Sequence, residues 1–185
     1  LWTGSSRITT DDWLELVRAI RAAYATRPEL AGIVITHGTD SMEETAYFLD
    51  LVDLGSDRPV VVTGAMRSAD AIGADGPANL YSAVRLAGDA RARGWGTLVL
   101  MNDEIHRARD VTKTSTLRVH AFESPVVGAI GVVDASGPVF MRAKAERPPR
   151  FDLDGVGRLQ RVEIDMSFVG ASGAAIREAM ASGAA

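Results

Sequence analysis

Apolar residues recur at two spacings along the N-terminal half of the chain. In "DDWLELVRAIRAAYATRP" (11–28), Trp13, Leu14, Leu16, Val17 and Ile20 form a stripe at helical spacing. Thr10 or Asp11 stands where a cap belongs, and Pro28 lies beyond the helix end. A short unbroken apolar run, Gly32–Thr36, then predicts a strand, followed by a helix from about Met42 to Leu54. Val60–Thr63 predicts a second strand. "ADGPANLYSAVRLAGDARARG" (74–94) predicts another helix, with Asp75 as cap, Pro77 in its first turn and Gly94 at its end. "GTLVLMND" (96–103) predicts a third strand. The strands are continuously apolar rather than alternating, as strands covered on both faces are. Such strands separated by helices predict βαβ units.

After residue 103 the pattern dissolves. "IHRARDVTKTSTLRVHAFESP" is polar and carries no clear period, and "VVGAIGVVDASGPVFMRAK" predicts short strands turning at Ala135–Pro138. "AERPPRFDLDGVGR" has adjacent prolines, many charges and no periodicity, so it reads as a linker. "LQRVEIDMSF" then predicts a new strand and "GASGAAIREAMASGAA" a new helix. The predicted fold class is therefore α/β: a mainly parallel sheet flanked by helices, with the first strand and helix of a second, smaller α/β domain. The boundaries fall at 1–142 for the first domain, 143–159 for the linker and 160–185 for the start of the second. One strand and one helix bury too little to make a core, so the second domain is expected to be cut short.

Composition narrows the function classes. A net charge of −4 lacks the basic excess of a nucleic-acid binder. No apolar run approaches the roughly 20 residues that span a bilayer. The 185 residues include no cysteine, which excludes disulfides and thiolate metal sites. Three scattered histidines, His37, His106 and His120, do not make a metal cluster. No metal cluster, nucleic-acid partner or membrane span is therefore expected. The cytoplasm is the default compartment, although an N-terminal leader is not excluded.

Ligands of open parallel sheets bind beyond the carboxyl ends of the strands. Three such ends are polar: "THGTD" (36–40), "TGAMR" (63–67) and "MNDEIH" (101–106). Asp40, near a helix N-terminus, would be stabilised as a carboxylate that accepts from a ligand's ammonium group. Spacing by itself favours a plainer reading, with Asp40 or Ser41 as N-cap and Glu43 or Glu44 in the first turn. His37 by itself reads as a packed, hydrogen-bonded residue, "DGP" (75–77) as turn and cap, and "RARD" (107–110) as a solvated segment. Lys113 lies in "RDVTKTST", a stretch dense in hydroxyls, where it is either exposed or buried beside Thr39. A buried lysine can release its proton and take one from a threonine hydroxyl.

Three long segments carry a resemblance. "ITHGTDSMEETAYFLDL", "RPVVVTGAMRSADAIGADGPANLYSAVRLA" and "MNDEIHRARDVTKTSTLRVHAFESP" closely resemble the bacterial-type L-asparaginases, which include glutaminase-asparaginases. The resemblance runs from about Gly4 into the start of the second domain. It implies hydrolysis of L-asparagine, and of L-glutamine in some members, through a threonine-linked acyl-enzyme. It also implies a small-molecule substrate with no metal and no organic cofactor, and a homo-oligomer, a dimer or tetramer. Carried onto this sequence, Thr39, Asp40 and Lys113 match the family's catalytic group. Asp40 matches the residue that holds the substrate's α-amino group, and Ser5 the one that contacts the α-carboxylate. Ala65 matches a residue whose backbone carbonyl faces the side-chain amide.

The chain also departs from the family. Members open with a "TGGTI" segment whose threonine is the usual first nucleophile, followed by a loop bearing a tyrosine. "LWTGSSRITT" begins downstream of both. Ser6 stands where Gln or Glu is common, which weakens that second contact to the substrate's polar head. The resemblance thus implies an incomplete asparaginase, without most of the second domain that supplies an acidic residue to a neighbouring subunit. Two alternatives accompany it: an aspartate- or asparagine-binding module without turnover, and a glutamine-dependent amidotransferase subunit.

Overall fold

Thr9, rather than Thr10 or Asp11, starts the first helix. Its hydroxyl accepts from the Asp12 amide at 3.3 Å, and its own amide donates to the Asp12 carboxylate at 2.8 Å. This reciprocal capping box satisfies amides that the first turn leaves open. The computed structural model describes residues 4–184, in two compact units that meet between Leu153 and Asp154.

Helix α1 (Thr10–Thr26) buries Leu14, Val17, Ile20 and Tyr24. Strand β1 (Ile33–Thr36) leads to α2 (Met42–Leu51). That helix stops short of Leu54 because Val52 is extended and bridges to Phe151. Strand β2 (Val60–Thr63) leads to α3 (Gly76–Gly88). Gly94 does not end this helix: Asp89 turns extended, and its carboxylate accepts from the Arg91 amide to start a short 3-10 turn. β3 (Thr97–Met101) follows.

Strands β1, β2 and β3 pair in parallel, as their apolar runs predict. The sheet then becomes mixed. β4 (Glu104–Arg107) returns antiparallel to β3 through a two-residue turn, Asn102 and Asp103, with φ of 50° and 64°. Asn and Asp tolerate that left-handed backbone. β7 (Gly131–Asp134) and β8 (Gly137–Phe140) complete the order β1-β2-β3-β4-β7-β8, turning at Ala135–Ser136 inside the predicted span. β5 (Thr112–Lys113) and β6 (Phe122–Glu123) form a separate small hairpin within the stretch that lacked a readable period.

The continuous apolar runs are explained by the two faces they fill. Alternate residues of a strand point to opposite sides. Val60 and Val62 of β2, with Val99 and Met101 of β3, pack with α1 and α2. Val61, Leu98 and Leu100 pack with Ala83, Leu86 and Ala87 of α3. β1 departs from this pattern. It ends the sheet among the described residues and is only half-buried, and a groove of about 450 Å³ runs between it and α1.

The predicted linker contributes to the first unit. Phe151 bridges to Val52, and Arg147 donates to the buried Asp50 carboxylate. In the second unit, α4 (Ala174–Ala181) forms, but residues 159–168 make no ladder. Their alternating Val162, Ile164, Met166 and Phe168 are exposed, because a strand needs a neighbour to satisfy its backbone and cover its apolar face.

Candidate active site

The parallel register brings Thr36 of β1 opposite Thr63 of β2, and Thr63 opposite Leu100 of β3. The residues that follow these strands therefore share one edge of the sheet. Asn79 of α3 ties two of the ends together. Its amide donates to the Gly64 carbonyl at 2.9 Å, and its side-chain oxygen accepts from the Asn102 amide at 3.0 Å. Gly64 is needed there, since a Cβ would land on the His37 carbonyl. Asp75 makes no capping bond to the first-turn amides of α3, although its carboxylate accepts from the Asn79 side chain at 3.1 Å. The same carboxylate accepts from the Met66 and Arg67 amides at 2.9 Å each, fixing the loop that contains Ala65.

At the end of β1 the plainer capping reading gives way. Ser41 occupies the N-cap position of α2 but makes no capping bond; its hydroxyl donates to the Ser5 carbonyl at 2.5 Å. Ser5, buried in a 3-10 turn before α1, lies 3.4 Å from the Asp40 carboxylate, and its hydroxyl accepts from the Asp40 amide at 3.3 Å. Gly38 permits this approach, because a Cβ there would overlap Ser5 Oγ. His37 Nδ1 lies 2.6 Å from the Gly38 carbonyl, so the ring is engaged with its own loop.

Lys113 arrives from β5. Its ammonium nitrogen lies 2.9 Å from Thr39 Oγ1 and 3.6 Å from Asp40 Oδ1. The lysine side chain is 18% exposed, whereas the Asp40 side chain is 62% exposed and faces outward. The hydroxyl and the amine are thus sheltered, and the carboxylate beside them is open to an incoming ligand. Four of the predicted residues, Ser5, Thr39, Asp40 and Lys113, form one contiguous group. Ser6 is the next, exposed residue of the Ser5 turn, and Ala65 is exposed just beyond β2. Neither is bonded to that group among the described contacts.

A family model described as asparaginase, N-terminal, matches residues 2–147. The chain belongs to the asparaginase family. It is 42% identical over 183 residues to a glutaminase-asparaginase of Pseudomonas fluorescens biotype A, covering 97% of this chain and 50% of that protein. It is 44% identical over 168 residues to a probable periplasmic L-asparaginase of Haemophilus influenzae, covering 89% of this chain and 47% of that one. The crystal structure of a probable cytoplasmic L-asparaginase from Campylobacter jejuni superposes with a TM-score of 0.87 at 40% identity. It covers 97% of this chain and 57% of that one. The chain thus spans about half the length of the curated relatives it matches. Those names include both cytoplasmic and periplasmic proteins, so family membership does not fix the compartment. No helix among the described residues is long and apolar enough to cross a membrane.

In this asparaginase-family chain one neighbour of the candidate site escaped the sequence reading. Glu43 reads as an ordinary first-turn acid, yet its carboxylate accepts from the Thr112 hydroxyl at 3.0 Å and from the Lys113 amide. First-turn glutamates are favoured for dipole reasons alone, so nothing in the sequence separates Glu43 from Glu44.

Proposed function

We propose that the full-length protein hydrolyses the side-chain amide of L-asparagine, releasing aspartate and ammonia by way of a threonine-linked acyl-enzyme. L-glutamine is the second candidate substrate. The observation that carries this reading is the sheltered Lys113–Thr39 contact of 2.9 Å with the exposed Asp40 carboxylate beside it. A threonine hydroxyl becomes a competent nucleophile only when a base takes its proton. In its neutral form the Lys113 amine accepts the Thr39 proton across that distance.

In the first step a threonine oxygen bonds to the amide carbon. The C–N bond then breaks, and ammonia leaves with the relayed proton. In the second step water cleaves the resulting ester and returns the proton to the threonine. By family resemblance the first attack belongs to a threonine of a "TGGTI" segment, with Thr39 and Lys113 as the proton-handling pair. Asp40 receives the substrate's α-ammonium, a charge-assisted bond at an exposed carboxylate. Ser5 receives the α-carboxylate, and the Ala65 carbonyl orients the amide. No step requires a metal or an organic cofactor. The resemblance further suggests a homo-oligomer in which a neighbouring subunit completes the site.

Ammonia release from asparagine by wild-type and Thr39→Ala full-length protein tests this reading. The variant is expected to lose about 10²–10⁴ in kcat, the range that general acid–base catalysis supplies. A cap-sized change in stability, about 1 kcal/mol, is its structural limit. A Thr39→Ala enzyme with near-normal kcat sinks the assignment. Tight binding of aspartate without turnover by the full-length wild type would instead identify a binding module.

A further inference from the structure

We propose that Glu43 is a positioning residue, a carboxylate clasp that sets the distance between Lys113 and Thr39. The inference rests on the proposed amide hydrolysis and adds to it a part outside the substrate's reach. Lys113 sits on a strand of two residues, paired with β6 through Thr112–Glu123 and Lys113–Phe122. In a strand with one neighbour, successive N–H groups point to opposite sides. The Thr114 amide donates to the Ala121 carbonyl of the hairpin at 2.7 Å, so the Lys113 amide faces the other way. There it meets Glu43. One oxygen of that carboxylate takes the Lys113 amide, and the other takes the Thr112 hydroxyl at 3.0 Å.

Glu43 lies in the first turn of α2, four positions after Thr39 and three after Asp40. The segment that presents the hydroxyl and the ligand-facing carboxylate therefore also holds the main chain of the lysine. This matters because the lysine amine hangs on a flexible four-carbon stem. Its head group can be placed reproducibly only if the backbone beneath it is fixed. β5 lies outside the main sheet and is anchored through β6, whose Phe122 is buried in the core, so Glu43 supplies the polar tie from its backbone to α2. A displacement of about 1 Å at a reacting group can cost about 100-fold in rate. The clasp works through Lys113 and touches no reacting atom.

The full-length protein is compared as wild type, Glu43→Ala, Glu43→Gln and Glu44→Ala, with two readouts. The first is kcat and KM for asparagine. The second is hydrogen exchange at the Lys113 amide, which reads the clasp without reference to activity. Glu43→Ala is expected to lower kcat by roughly 100-fold while KM changes far less. Exchange at Lys113 should accelerate roughly ten- to hundredfold, as for a lost bond to a charged acceptor. Glu43→Gln keeps one acceptor oxygen and should fall between. The exposed Glu44→Ala should match wild type in both readouts. Faster exchange with unchanged kcat overturns the positioning role, and unchanged exchange overturns the clasp itself. If wild type releases no ammonia, the proposed function fails on its own. Faster exchange in Glu43→Ala then still supports the clasp, and unchanged exchange still overturns it.

Discussion

Lys113 donates to Thr39 Oγ1 at 2.9 Å although 74 positions separate them in sequence. Two separate elements meet at that bond: the loop after β1, which ends the main sheet among the described residues, and a two-residue strand of a small hairpin. The lysine backbone is held by β6 and Glu43, and the side chain does none of that holding. Lys113→Met should therefore fold normally, with an unchanged melting temperature, while turnover of the full-length enzyme falls roughly 10²–10⁴-fold. Lys113→Arg should fail as well, because a guanidinium keeps its proton. Circular dichroism melts with an ammonia assay separate the two effects. An active Lys113→Arg enzyme would remove the lysine from proton transfer.

Asp40 offers a sharper test of substrate orientation. Its carboxylate is exposed, close to Ser5 and 3.6 Å from the lysine amine. Asp40→Asn should weaken asparagine binding roughly ten- to hundredfold, the range for losing a bond to a charged group. The informative substrate is the analogue without the α-amino group. Wild type should lose much more than Asp40→Asn on that change. Equal losses in both proteins would show that Asp40 does not hold the ammonium.

The parallel half of the sheet was legible in the sequence because a strand covered on both faces must be apolar at every position, as Val60–Val62 and Leu98–Leu100 are. The polar strand ends were legible because each apolar run stops abruptly, as the half-buried β1 does before Thr39 and Asp40. The hairpin that carries Lys113 was not. Strands of two residues are too short for any period to show, and β5 is fixed by a side chain from α2 rather than by its own composition. The stretch 143–159 reads as a linker from its adjacent prolines, charges and missing period, and none of those features shows that Arg147 places its charge against an interior carboxylate. The residues alone left Lys113 either exposed or beside Thr39, the resemblance chose between the two, and neither route pointed to Glu43.

That interior carboxylate sets a stability prediction. Asp50 is 3% exposed; Arg109 contacts one of its oxygens at 2.7 Å, and Arg147 donates to the other and to the Asp50 carbonyl. The oxygen that Arg147 contacts also accepts from the Thr97 amide at the start of β3. Burial lowers the Arg147 pKa, and the Asp50 charge opposes that shift. Removing one partner of a buried pair leaves an uncompensated charge, typically costing about 3–5 kcal/mol. Asp50→Ala should destabilise the first unit by about that amount in urea titrations. A change below about 1 kcal/mol would mean that solvent reaches both arginines.

His106 supplies the pH dependence. The ring lies in β4 at 1% exposure, with Nδ1 3.0 Å from the Ser124 hydroxyl. Glu104 approaches Nε2 at 3.4 Å without hydrogen-bond geometry, and His120 and Glu123 lie beyond it. Burial lowers the His106 pKa from 6.5; the Glu104 carboxylate opposes the shift and His120 adds to it. Above about pH 6.5 the ring is neutral in both folded and unfolded chains and contributes no slope. Below it the unfolded chain gains a proton that the folded chain refuses, so stability falls as pH drops toward the lowered value. The slope from this one group is at most about 1.4 kcal/mol per pH unit. His106→Leu removes the titrating ring and should flatten that limb below about pH 6.5, whatever it does to absolute stability. Urea midpoints of both proteins across this range measure the difference. Parallel curves would show that the buried ring takes up its proton in the folded state as readily as in the unfolded one.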